Sequence, residues 1–364
     1  MTIIKLGGFF VNNFQSVEAL FKPFEMGNLK LSNRIIMAPM TRNFSPNGVP
    51  GEDVAAYYRR RAENGVGLIL TEGTFINHPD VASEVPAWQE DVPHLYGEEA
   101  LNGWSKVVNG VHEVSGKIFS QIWHMGARGN VNDYSKQEIS ELVEAFEQAA
   151  VNAKKVGFDG IEIMAAHGFL IDQFFWEKTN SRNDEYGGDM VNRTRFASEV
   201  IAACRRAVGP EFPIVLRISQ WKYDAYTAKL VETPEQLKHF LTPLVDAGVD
   251  IFHASIRRFW EPAFEGSELN LSGWMKKLTG KPTITVGSVG LEGADFVDFF
   301  ATGEEANGKA NKMGDLIERL EREEFDLIAV GRALLADPDW VNKIRDGRTE
   351  ELLPFTREAL NTLY

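Results

Sequence analysis

The chain has 364 residues, 44% of them apolar and 25% charged, with a formal net charge of −14. A surface so anionic repels both the phosphate backbone of nucleic acids and acidic lipid headgroups, which argues against those two partner classes. Cys204 is the single cysteine, so an internal disulfide, a cysteine-ligated cluster and a cysteine zinc site are excluded.

The opening stretch, 1–19, has glycines and asparagines but no small-residue cleavage site, and reads as an N-terminal extension rather than a secretion signal. No run of 18 apolar residues is present, so the expectation is a cytoplasmic protein without a membrane span. Short runs rich in Ile and Val then recur at "RIIMAPM" (34–40), "VGLILTEG" (66–73), "KIFSQIW" (117–123) and "GIEIMA" (160–165). Four more follow at "IVLRIS" (214–219), "DIFHAS" (250–255), "TITVGS" (283–288) and "LIAVGR" (327–332). Their hydrophobicity is continuous rather than alternating, the pattern of strands buried on both faces of a parallel sheet. Amphipathic segments such as "QEISELVEAFEQAAVNAKKVG" and "TPEQLKHFLTPLVDAG" lie between them and end in glycine, a helix stop. "EVIAACRRAVG" is another, and makes Cys204 a buried structural thiol. "ATGEEANGKANKMG" (301–314) reads as a surface insertion.

Eight strand–helix units without a linker predict a single-domain α/β protein, a (β/α)₈ TIM barrel over residues 1–364. A doubly wound open sheet is the alternative, but no G-x-G-x-x-G turn follows the first strand. In such barrels chemistry sits at the C-terminal strand ends. The polar residues there are Thr41, Arg42, Glu72, Gln121, His124, His167, Arg217, Ser219, Ser255, Arg257, Arg258, Ser288 and Arg332. Gln, Arg, Thr and His converging on one mouth suit a planar, anionic cofactor; a metal would want clustered carboxylates and histidines. "VGSVG" (286–290) and "VGRALL" (330–335) follow strands seven and eight, where barrels commonly bind phosphate. For His124, with no second histidine at ligand spacing, a packing or substrate-wall role is expected rather than a metal.

"LFKPFEMGNLKLSNRIIMAPMTR", "RAENGVGLILTEGT", "QIWHMGARG", "QFFWEKTNSRNDEYGG", "LRIS", "ITVGSVG" and "LIAVGRALLADPDW", in this order from about Leu20 to Lys343, resemble the old yellow enzyme family of FMN-dependent ene reductases. The resemblance implies a non-covalent FMN across the mouth, reduced by NADPH or NADH and reoxidised in a ping-pong cycle by a small, electron-poor alkene. It implies flavin contacts from Pro39, Met40 and Thr41 of "APMT", Gly73 of "TEG", Gln121 at the pyrimidine edge and Arg217 near N1. Gly287, Ser288, Gly331 and Arg332 fall at the phosphate. Charge supports the role of Arg217, since reduced flavin is negative around N1 and O2.

One motif departs from the family. Strand four there ends in His-x-x-His or His-x-x-Asn, which holds the substrate's oxygen, with a proton-donating Tyr two residues later. Here the three positions read Met164, His167 and Phe169. His167, with Thr41, is the expected catalytic residue, and His167 also borders the flavin. Met164, Phe169, Arg258 and Trp260 are expected to line the substrate pocket, the last two from the long aromatic loop 255–274 acting as a lid. Three readings stand. One is ene reduction with a substitute donor from Tyr226, His253, Arg258 or Trp260; another is oxidoreduction of nitro or amine substrates; the third is a flavin-binding barrel with little or no turnover. The resemblance of "EIM" to bacterial 2,4-dienoyl-CoA reductase is weak, because that enzyme needs an iron–sulfur cluster. A flavin-sensing scaffold and a metal-dependent barrel hydrolase are the more distant alternatives. Either a monomer or a homodimer fits the sequence.

Overall fold

The computed structural model describes residues 10–11, 15–83, 91–126, 130–293, 306–307 and 312–364. Most of the expected 1–19 extension and 301–314 insertion lie outside the described residues. Eight parallel strands close a barrel in sequence order. They are β1 (Ile35–Met37), β2 (Leu68–Phe75), β3 (Ile118–Trp123), β4 (Gly160–His167), β5 (Ile214–Lys222), β6 (Ile251–Ser255), β7 (Thr283–Val286) and β8 (Leu327–Val330). Every residue of β2, β3, β4, β6 and β8 is buried, which is why these runs lack polar alternation.

Around the barrel pack α1 (Glu52–Glu63), α2 (Glu98–His112), α3 (Lys136–Val156), α4 (Arg195–Val208), α5 (Pro234–Ala247), α6 (Leu271–Thr279), α7 (Met313–Glu321) and α8 (Arg332–Ala336). Local chemistry sets their ends. Ser135 and Glu138 form a reciprocal capping box on α3, and Thr233 caps α5 with Pro234 in the first turn. α3 and α5 stop at Gly157 and Gly248, both in the left-handed region that a Cβ disfavours. Cys204 on α4 is buried, and burial pushes its thiol up to about 12, so it is inert.

The barrel interior is graded. At one end an antiparallel hairpin, Phe24–Met26 with Leu29–Leu31, joins Ile36, Leu68, Leu70, Phe119, Val215, Ile251, Ile284 and Leu327 in one apolar cluster. Further up, the interior turns polar with Gln121, Glu162, Arg217 and His253, all buried. The apolar plug therefore leaves the C-terminal mouth as the end suited to a polar ligand.

Candidate functional site

The centre of the mouth is the end of β4. Its pairing with β5 shifts register between Ala165 and His167, and His167 takes a left-handed φ of 65°. A bulge followed by a left-handed residue turns a side chain out of the strand's alternation. The backbone is held there by three contacts: His167 N donates to Ser219 Oγ (2.9 Å), Tyr223 N donates to His167 O (3.2 Å), and Gly168 N donates to Asp172 Oδ2 (2.7 Å). Asp172 in turn accepts from Lys222 Nζ at 2.8 Å, an ion pair with both side chains fully buried.

The imidazole of His167 lies 2.8 Å, through Nε2, from Ser255 Oγ, which also accepts from Arg217 Nη2 at 3.2 Å. Burial, followed by the charges of Arg217 and Lys222, holds the imidazole well below its ordinary pKa, so the ring is neutral. Ser255 Oγ can give its own proton to Nε2 or accept one from it, and the neutral ring carries a single N–H either way, so His167 offers at most one donor. Met164, paired with Arg217 in the β4–β5 register, is buried and adds none.

A second polar layer lies beneath. Gln121 Nε2 donates to Glu162 Oε1 (2.7 Å), and His253 Nδ1 lies 2.6 Å from Glu162 Oε2. Burial alone would raise the Glu162 carboxyl, but His253, Arg217 and Gln121 outweigh it and keep it ionised. Burial holds His253 below its ordinary value, so it is a neutral donor to Glu162. Gln121 keeps a second N–H and its carbonyl for a ligand, and the buried Arg217 Nε has no partner among the described residues. These orphan groups fit the pyrimidine edge of FMN, where an amide can meet both a donor and an acceptor.

The phosphate-end residues are brought together as expected. β7 and β8 pair through Val286 and Ala329, so Gly287–Ser288 and Gly331–Arg332 emerge side by side. A Cβ on Gly287 would lie 2.5 Å from Ile256 O, so this turn requires glycine. At Gly331 such a Cβ would make ordinary contact with Met40 Sδ at 3.6 Å and Ala38 Cβ at 3.8 Å. Pro39 is half-buried and Thr41 exposed at the end of β1. Gly73 has a role that its sequence did not disclose: a Cβ there would meet the Trp123 ring at 2.7 Å.

Glu72 anchors the loop that carries Thr41. Its Oε2 accepts from Arg42 N (2.8 Å) and Asn43 N (3.0 Å), while the Arg42 guanidinium donates to the carbonyls of Ala359, Leu360 and Thr362. Burial raises the Glu72 carboxyl from its ordinary 4.5 to about 7. The folded protein then binds more protons than the unfolded chain between those values, so stability falls as pH rises through that window and levels off above it. Glu72→Gln, whose carbonyl still accepts both N–H groups, is expected to flatten this dependence, a difference on the order of 2–3 kcal/mol in urea unfolding between pH 5 and 8. An unchanged slope refutes the assignment.

The remaining residues of the mouth have partners that the sequence did not show. Arg258 pairs with Glu261 (3.0 Å), and Trp260 stacks under Lys312 Nζ at 4.0 Å and against Phe259. These contacts hold the two residues within the β6 loop and against Lys312. The loop reaches the aromatic wall through Arg257, 5.6 Å over Tyr226. His253 is committed to Glu162 in the layer beneath. His124 does meet a second histidine: His78, Asp80 and His124 gather their ligand-type atoms within 4.8 Å. Yet His124 Nδ1 accepts Gly126 N at 3.0 Å, and burial pushes the ring's pKa down to about 3, so its proton is on Nε2 and no lone pair remains there for a metal. Packing against His78 is the role the geometry supports. Sequence reasoning missed the aromatic wall: Trp221 stacks on His167 at 4.2 Å, Trp123 meets Phe169 edge-on at 4.9 Å, and Tyr223 meets both His167 and Phe169.

Known proteins show the same architecture. The model of the NADH:flavin oxidoreductase / NADH oxidase family matches residues 19–136 and 130–299. 12-Oxophytodienoate reductase 7 of Oryza sativa subsp. japonica is 32% identical over 376 residues, covering 91% of this chain and 89% of that protein. The NADH oxidase of Thermoanaerobacter brockii is 32% identical over 368 residues, covering 92% of this chain and 52% of that protein. Morphinone reductase, solved in complex with tetrahydroNAD, superposes with a TM-score of 0.76 at 27% identity, covering 94% of this chain and 93% of that one. Among the described residues no helix is long and apolar enough to cross a membrane. The matched family and the closed barrel agree: this chain belongs to the NADH:flavin oxidoreductase / NADH oxidase family, the old yellow enzymes, and is an FMN-dependent NAD(P)H oxidoreductase.

Proposed function

We propose that the protein reduces electron-poor carbon–carbon double bonds at the expense of NAD(P)H, anchoring the substrate's carbonyl or nitro oxygen on His167 alone. Bound FMN supplies the two-electron relay between nicotinamide and alkene. Gln121 and Arg217 hold the pyrimidine edge, where the guanidinium favours negative charge. Gly287, Ser288, Gly331 and Arg332 take the phosphate, and Pro39, Met40 and Thr41 border the ring from β1. His167 donates from Nδ1 to the oxygen on which charge develops. The wall of Trp123, Phe169 and Trp221 excludes water and receives a flat substrate.

The observation that supports this reading is the Arg217–Ser255–His167 chain of contacts, which holds a neutral imidazole beside the cationic end of the mouth; a proton from Ser255 on Nε2 leaves Nδ1–H to donate. The buried, apolar Met164 favours substrates that stabilise their own developing charge, nitroalkenes before simple cyclic enones. For the same reason, nitro reduction is the second reading. An anaerobic absorbance trace tests both: the flavin band bleaches with NADPH or NADH and recovers on adding an activated alkene. A band that bleaches and recovers only with nitroaromatics sinks the ene reading.

A further inference from the structure

Adding a hydride to the β-carbon of an alkene conjugated to an oxygen leaves an electron pair at the α-carbon, and the reaction ends only when that carbon takes a proton. Phe169 has none to give. His167 is neutral and has its single N–H engaged in holding the substrate's oxygen, so the acid must come from elsewhere in the mouth. Tyr226 is directed to other neighbours: its ring stacks on Trp221 and lies under Arg257.

Tyr223 is differently placed. It follows β5 directly, next to Lys222, whose buried pair with Asp172 fixes the strand end. Its N–H bonds the carbonyl of His167, so its backbone is tied to the anchor residue itself. Its ring centroid lies 5.7 Å from both the His167 and the Phe169 rings, edge-on to each. The residue is 46% exposed, which leaves the ring reachable by a small molecule in the mouth.

We propose that the Tyr223 hydroxyl is the proton donor of the oxidative half-reaction, a phenol carried just past the end of β5, beside Phe169 just past the end of β4. The proposal rests on the ene-reduction reading. In the step, a C–H bond forms at the β-carbon with the hydride whose two electrons come from NAD(P)H. The π pair moves toward the α-carbon and oxygen; the Tyr223 O–H bond breaks as the α-carbon C–H forms, and the phenolate recovers a proton from water. The alkene is reduced and the nicotinamide oxidised, so electrons and protons balance. The phenol is protonated at neutral pH; desolvation makes it a weaker acid, and the charge of Arg217, within electrostatic reach, opposes that effect by favouring the phenolate.

The test compares wild type, Tyr223→Phe, and Tyr223→Phe combined with Phe169→Tyr, each FMN-loaded. Enzyme reduced with dithionite is mixed with 2-cyclohexenone or 1-nitrocyclohexene, and reoxidation is followed in H₂O and D₂O. Cyclohexanone affinity, from tryptophan fluorescence, reports whether the pocket is intact. Tyr223→Phe is expected to slow reoxidation by the enone by about 10²-fold or more and abolish its solvent isotope effect. Cyclohexanone affinity should stay within about threefold, since the proton donor acts in the transition state. Restoring a phenol at 169 should recover much of the rate. Equal reoxidation rates for Tyr223→Phe and a competent wild type overturn the proposal and leave ene reduction standing. A wild type that binds FMN yet is reoxidised by neither alkene overturns the ene reading, and the proposal with it.

Discussion

His167→Ala is expected to lower the rate at which reduced enzyme is reoxidised by an enone by about 10²–10³-fold. With Met164 and Phe169 apolar, removing the proposed anchor His167 has no backup from the strand-four motif. Met164→His is expected to act in the opposite direction. The side chain at 164 shares the β4–β5 register with Arg217 and sits in the buried mouth, so a second imidazole there adds a donor to the same oxygen. A gain of about tenfold or more for 2-cyclohexenone, with little change for a nitroalkene, is the expected pattern. The contrast is informative because a nitro group carries developing charge better than a ketone does. Stopped-flow reoxidation of both variants with both substrates measures it; equal rates for His167→Ala and wild type rule out the anchoring role.

Lys222→Met is expected to cost about 3–5 kcal/mol of stability in urea unfolding at neutral pH. The Lys222–Asp172 pair is fully buried, so deleting the lysine strands a carboxylate without water or counter-charge. Burial already raises the Asp172 carboxyl above its ordinary range, with Lys222 opposing that rise. In the variant the carboxyl should rise further, so folded protein binds a proton that the unfolded chain does not, and stability should increase as pH is lowered toward the ordinary carboxylate range. Adding Asp172→Asn removes the charge while keeping an acceptor for Gly168 N, and most of the loss should be recovered. A loss that is unaffected by Asp172→Asn points to lost packing of the lysine stem, which lies near Trp176, instead of the stranded charge.

The eight strands were legible because a parallel barrel buries both faces of each strand, and so demands unbroken apolar runs. Their ends were less so. β2, β4 and β5 continue to Phe75, His167 and Lys222, past the points where polar residues and glycine made the chain read as loop. Pairing shifts aim the site, one between Leu70 and Gly73 within the expected strand and one between Ala165 and His167 where β4 runs on. Register is a relation between two strands, and a single run does not state it. The contacts of Arg258 and Trp260 were hidden for a related reason. Loop length and aromatic content marked the β6 loop as a cover, but the contacts that Glu261 and Lys312 make with its side chains are set by packing.

From sequence alone came the barrel, the family and the apolar residues at 164 and 169, because each is carried by the order of residues along one strand and its turn. Only the tertiary structure decided that Ser255 on β6 meets the imidazole of His167 on β4, that Glu162 ties Gln121 to His253, and that Tyr223, just after β5, stands beside Phe169. Those pairs are separated by tens of residues in the chain and meet because closing a barrel brings the ends of all its strands to a single mouth.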